Sequence, residues 1–157
     1  MRNIDSMKSI LRLSIIGLFL LCMACNKDNE DQADADDKII REYIEANNLD
    51  AEPTGSGLYV VIENEGSGFN PTQNSTVSVF YKGYFTDGEV FDQTGSEPIS
   101  FSLNQVIEGW QEGIPYFKPG GSGILLIPSA LGYGSELVGD IPPNSVLIFD
   151  IELVSVN

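Results

Sequence analysis

Apolar and polar positions divide the chain into stretches of different period. Leu13 to Ala24 is a nearly unbroken apolar run. Asn26 to Asp37 carries no large apolar residue at all. From Asp37 to Asn48 the residues Ile39, Ile40, Tyr43 and Ile44 recur with a helical period. Asp36 or Asp37 can cap the start of that helix, and Asn47-Asn48 suits its end. A helix this short is marginal alone, so it is expected to dock on whatever follows.

Beyond Gly57 strands alternate with turns. Leu58-Tyr59-Val60-Val61-Ile62, within Gly57 to Asn64, reads as a strand. Thr76 to Phe85 is a second, with Val77, Val79, Tyr81 and Phe85 on one face. Asp87-Gly88 signals a turn, after which Val90-Phe91 resume the sheet. Ile99 and Phe101 share a face of another short strand. Glu108 to Ile114 reads as a short helix that Pro115 stops. Gly123 to Ile127 and Ser145 to Val156 complete the strands. The pattern predicts an α+β fold, an antiparallel sheet crossed by one short helix. Pro119-Gly120-Gly121-Ser122-Gly123 lacks the lysine of a phosphate loop and reads as a hairpin-type turn. Asn74-Ser75-Thr76 fits a glycosylation sequon but reads as the start of a strand.

The chain has 157 residues, a one-domain length once its tails are set aside. About a hundred residues can bury a core without disulfides or metals. Cys22 and Cys25 both lie near the N-terminus and cannot staple the domain. There is no histidine, which removes the commonest general base and metal ligand and the usual hydrolase triads. Neither a metal nor a cofactor is expected. The formal net charge of -15 argues against nucleic acid as a partner, because phosphate binding needs a basic patch.

The N-terminus reads as an export signal. Arg2, Lys8 and Arg12 make it positive, and the apolar run behind them is too short to span a bilayer comfortably. Met7 is an alternative initiator. Leu21-Cys22-Met23-Ala24-Cys25 resembles a bacterial lipobox, with Cys22 where leucine is usual. Cys25 is then the acylated first residue of the mature chain. The acidic run behind it resembles surface-export signals of Bacteroidetes lipoproteins, although a plain solvated spacer fits it equally. Residues 1–24 contain three basic residues and one acid, so their removal takes the charge from -15 to -17. A negative membrane surface would not attract such a chain, so attachment must come from the lipid. The expected location is the cell envelope, lipid-anchored at the outer membrane on its periplasmic or surface face. The expected organisation is a signal over 1–24, a lipidated flexible tether over 25–37, a short helix and connector over 38–56, and a domain over 57–157.

Six separated fragments supply residues suited to one apolar pocket: Tyr81, Phe91-Asp92, Val106-Ile107 with Trp110, Tyr133-Gly134, Ile141-Pro142-Pro143 and Phe149. No nucleophile stands among them. The order and spacing of Val79-Phe80-Tyr81-Lys82-Gly83, Asp87 to Asp92, Val106 to Trp110, Ile127-Pro128, Gly132-Tyr133-Gly134 and Ile141 to Leu153 resemble the FKBP-type peptidyl-prolyl cis/trans isomerases. The resemblance spans roughly Gly57 to Val156. It implies a half-barrel, a curved antiparallel sheet wrapped around a short helix. It also implies roles. Trp110 forms the floor beneath a proline ring, and Phe91, Val106, Ile107 and Phe149 form walls. Tyr81, Phe101 and Ile141 fill the periphery, and Ile99 stands at the rim. Tyr81, Asp92 and Tyr133 are the polar groups: Tyr81 holds Asp92, Asp92 polarises the twisting amide, and the Tyr133 hydroxyl donates to a substrate carbonyl, as does the Ile107 N–H.

The partners so implied are proline-containing segments of exported proteins, with macrolides of the rapamycin type as a further ligand class. The domain is expected to be a monomer. The alternative is a non-catalytic chaperone or adaptor module that grips prolyl segments. Two features depart from the family. Gln93 to Ser100 is short and lacks the basic residue often found there, and Asp140 replaces a common aliphatic residue in a slightly short loop. Both bear on ligand preference.

Overall fold

The computed structural model describes residues 30–157. The export signal, Cys25 and the front of the expected tether lie outside the described residues. Residues 30–47 form α1. β1 (Glu52–Pro53), β2 (Tyr59–Asn64), β3 (Thr76–Tyr84), β4 (Val90–Gln93), β5 (Ile99–Ser102), β6 (Gly121–Ile127) and β7 (Leu147–Val156) make one sheet, and α2 (Glu108–Gly113) crosses it. The order is β1-β2-β6-β7-β3-β4, with β5 also on β3. Every pairing is antiparallel. The sheet is open and wraps α2 on one side, which is the α+β architecture expected above.

β3 is shared along its length. Thr76 to Val79 pair with β5, and Lys82 to Tyr84 pair with β4. Thr94 bridges the gap: its N–H donates to the Tyr81 carbonyl at 3.0 Å, and its hydroxyl lies 3.2 Å from both the Tyr81 N–H and carbonyl. The turn at Asp87-Gly88 closes as its residues require, with Gly88 at φ 89° and the Asp87 carboxylate accepting the Glu89 N–H.

Successive strand residues point to opposite faces, and here both faces are covered. Leu58, Val60, Leu125, Ile127, Leu147, Phe149, Ile151 and Leu153 face inward onto α2. Tyr59, Val61, Ile124, Leu126 and Ile148 face outward and meet Ile40, Tyr43 and Ile44 of α1. α2 is too short to persist alone and is secured by close packing. A Cβ on Gly109 would stand 2.5 Å from Ile127, and one on Gly113 2.6 Å from Leu125. These two glycines, four apart, let the helix lie directly on β6.

Two expectations need correction. Residues 30–37, read as flexible tether, are helical, so neither Asp36 nor Asp37 is a cap and the helix precedes the expected start of 37. The stretch lacks large apolar residues but is held by polar contacts. Asp36 is buried against Ser129, and Asp37 accepts the Tyr59 hydroxyl at 2.8 Å and the Arg41 guanidinium at 2.6 Å. The Arg41 hydrogen bond, and then that of Tyr59, holds the Asp37 carboxyl below its usual range. The helix ends as read: Asn48 takes φ 52°, and the Leu49 N–H bonds back to the Ile44 carbonyl. The second correction concerns Gly121 and Ser122, read only as turn ahead of the strand from Gly123. They belong to β6, and a Cβ on Gly123 would lie 1.9 Å from the Val61 carbonyl oxygen. Only Gly120, at φ 78°, is needed for the turn.

Candidate active site

Tyr81, Asp92, Phe101, Val106, Ile107, Trp110 and Phe149 line a shallow pocket of about 100 Å³ on the inner side of the sheet. Five elements and one connecting segment deliver them. Tyr81 comes from β3, Asp92 from β4, Phe101 from β5, Phe149 from β7, and Val106 and Ile107 from the segment that opens α2. Trp110, on α2, stands edge-on to three rings: Tyr81 at 5.2 Å, Phe149 at 5.3 Å and Phe101 at 5.5 Å between centroids. Edge-to-face packing of this kind sets each ring's plane as well as its place. The indole is only 4% exposed, and its N–H has no partner among the described residues.

Phe91, Ile99, Ile141 and Tyr133 stand around this pocket rather than line it. Phe91 packs edge-on against Phe149 at 5.5 Å and tilted against Phe85 at 5.0 Å, so it buttresses a wall. Gly83 makes room for that pair, since a Cβ there would approach both rings within 2.7 Å. Ile99 is exposed on β5, and Ile141 is buried at the end of a tight turn through Gly139-Asp140.

The polar groups form one edge. The Tyr81 hydroxyl donates to the Asp92 carboxylate at 2.5 Å. Burial, and then this hydrogen bond, pushes the Tyr81 phenol far above its ordinary range, so it stays a donor. Burial and the nearby Asp92 charge raise Tyr133 as well. The Ile107 carbonyl accepts from the Trp110 and Gln111 N–H groups at 3.0 and 3.1 Å, while its own N–H has no partner among the described residues. One carboxylate, two phenols and a backbone N–H therefore fringe an apolar floor. Such a site desolvates a bound amide and offers it hydrogen bonds, without a nucleophile. Among the described residues no three His, Cys, Asp or Glu groups gather to hold a metal ion.

Sequence reasoning missed two supports of the pocket. Thr94 pins the backbone of Tyr81, and the Gln111 side chain donates to the Val106 carbonyl at 2.8 Å, fixing the segment that carries Ile107. Both act on backbone atoms, so no side-chain pattern marks them.

Comparisons with known proteins bear on this arrangement. The family model described as FKBP-type peptidyl-prolyl cis-trans isomerase matches residues 68–154. The FKBP-type peptidyl-prolyl cis-trans isomerase FkpA of Escherichia coli strain K12 is 42% identical over 134 residues, covering 83% of this chain and 49% of that protein. Its counterpart from Buchnera aphidicola subsp. Schizaphis graminum is 46% identical over 106 residues, covering 66% of this chain and 42% of that one. The chain thus spans about half the length of these curated relatives. Among solved structures, the crystal structure of FkpA from Escherichia coli superposes with a TM-score of 0.71 at 35% identity, covering 99% of this chain and 74% of that one. A peptidyl-prolyl cis-trans isomerase from Pseudomonas syringae pv. tomato gives a TM-score of 0.68 at 33% identity, covering 79% and 95%.

Proposed function

The chain belongs to the family of FKBP-type peptidyl-prolyl cis-trans isomerases, and from that premise we propose that it catalyses rotation about X-Pro amides of exported proteins in the bacterial envelope. The observation that carries this reading is the aromatic pocket over Trp110 with Tyr81, Asp92, Tyr133 and the Ile107 N–H at its edge. The uncatalysed rotation is slow because twisting the amide destroys its resonance, with a barrier of ~18–20 kcal/mol. The planar amide is more charge-separated than the twisted one. An apolar pocket therefore favours the twisted state relative to water, and each ~1.4 kcal/mol of that preference gives about tenfold in rate.

In this reading the proline ring rests on Trp110 between Phe149, Val106 and Ile107, with Phe101 and Ile141 outside them and Ile99 at the rim. Phe91 keeps Phe149 upright. Tyr133 and the Ile107 N–H hold the substrate carbonyls. Asp92, steadied by Tyr81, polarises the twisting bond. No proton transfer or covalent step is required. Macrolides of the rapamycin type would occupy the same floor. The test is cis/trans exchange of a prolyl peptide followed without a coupling protease. Exchange accelerated by substoichiometric protein supports the isomerase. Binding without exchange moves the assignment to a prolyl-peptide-binding chaperone or adaptor.

Envelope attachment is part of the proposal and rests on the basic N-terminus, the apolar run and Ala24-Cys25. Cys25 carries the lipid, residues 1–24 are removed, and the polar residues Asn26 to Asn29 lead into α1 and the domain over 57–157. Cys25→Ala should leave the protein unprocessed or free it from membranes. Mass spectrometry showing an unlipidated mature N-terminus at another residue would overturn this.

A further inference from the structure

Asp36 has no part in the chemistry above, yet it is fully buried. A buried carboxylate is costly unless hydrogen bonds compensate it. Here Oδ2 accepts the Ser129 N–H at 2.8 Å and the Ser129 hydroxyl at 2.6 Å, and Oδ1 accepts the Gln32 side-chain amide at 2.8 Å. Ser129 opens the short 3-10 helix Ser129–Leu131. Its carbonyl accepts the N–H of Gly132 at 3.0 Å and of Gly134 at 2.8 Å, the two neighbours of Tyr133. The Gly134 carbonyl in turn accepts the Asn144 N–H at 2.7 Å. The donors of Ser129 are thus held by α1, while its acceptor holds both sides of Tyr133. Docking of α1 on the sheet does not need this bond, because Ile40, Tyr43 and Ile44 already supply an apolar contact. The carboxylate reaches past that contact to the loop.

We propose that Asp36 is a positioning residue for Tyr133. By clamping Ser129 it sets where the Tyr133 hydroxyl stands, and it makes the N-terminal helix part of the substrate site. This inference rests on the isomerase reading.

The test uses the full chain and compares Asp36→Ala and Asp36→Asn with wild type, in peptide isomerisation and in amide hydrogen exchange at Gly132 and Gly134. Asp36→Ala should lower kcat/KM about tenfold and speed exchange at both glycines, because the hydroxyl is no longer held in place. Asp36→Asn, whose amide oxygen still accepts, should restore most of both. In a Tyr133→Phe background Asp36→Ala should cost little more, since the group it places is gone. Should Asp36→Ala not fold, Ser129→Ala reads the same link through the loss of one of the two bonds, with a drop of roughly threefold. Wild-type kcat/KM in these variants, or losses fully additive with Tyr133→Phe, would overturn the proposal. If wild type itself shows no turnover, the isomerase reading fails, and exchange with prolyl-peptide affinity decides the positioning. Faster exchange with weaker binding in Asp36→Ala then supports it, and unchanged exchange overturns it.

Discussion

Asp92 carries the one charge in the pocket that can be removed without changing the pocket's shape. Asparagine keeps an oxygen for the Tyr81 hydroxyl and leaves the rings untouched. If the charge polarises the twisting amide, Asp92→Asn should lower kcat/KM about tenfold while peptide affinity and the urea midpoint hold. Steady-state kinetics beside an unfolding curve would check this. Wild-type turnover would reduce Asp92 to a residue that steadies β4 and leave desolvation as the whole mechanism. At this scale the aromatic and carboxylate groups were legible because their order and spacing in the chain resemble a family. Asp36, Thr94 and Gln111 were not. Each acts on backbone atoms of another residue, which leaves no side-chain pattern, and the partner of Asp36 lies 93 positions away.

Glycine positions decide how closely the elements approach. Gly123 faces the Val61 carbonyl, a backbone atom that cannot swing aside, whereas nothing lies within 4 Å of a Cβ built on Gly120. Gly123→Ala should therefore cost ~3 kcal/mol or more, the upper end of overpacking effects. Gly120→Ala should cost ~1 kcal/mol, through its left-handed backbone alone. Urea unfolding of the two variants checks the ranking, and equal losses would contradict the packing argument. The strands themselves were readable. Leu58 to Ile62 and Gly123 to Ile127 are continuous apolar runs, which is what a strand covered on both faces produces. The second cover is α1. Its front half escaped the sequence reading because an acidic stretch without large apolar residues gives no helical period, and that half touches the domain through Asp36 and Asp37 while the apolar contact lies further along, at Ile40, Tyr43 and Ile44.

Across the whole molecule, four phenols are tied to the fold. Burial, and then a hydrogen-bonded carboxylate, pushes Tyr59, Tyr81 and Tyr84 up, and burial with the Asp92 charge does the same to Tyr133. A group raised in the folded state stabilises it fully below its unfolded value and loses that contribution as pH rises through its folded value. The urea midpoint should therefore fall once pH climbs beyond ~10, the ordinary tyrosine range. Part of the tyrosinate absorbance should then appear only with unfolding. Complete tyrosine titration near that pH with the fold intact would contradict it. With the pocket in the inner of the two cores, the proposal is that this site twists an amide without reacting with it. Exchange spectroscopy on an Ala-Leu-Pro-Phe peptide tests that claim most directly. With the protein far below peptide concentration, cis and trans signals should exchange within seconds rather than the tens to hundreds of seconds of the free amide, and Phe149→Ala should slow them. Exchange at the uncatalysed rate, with the peptide bound in the pocket, would contradict it.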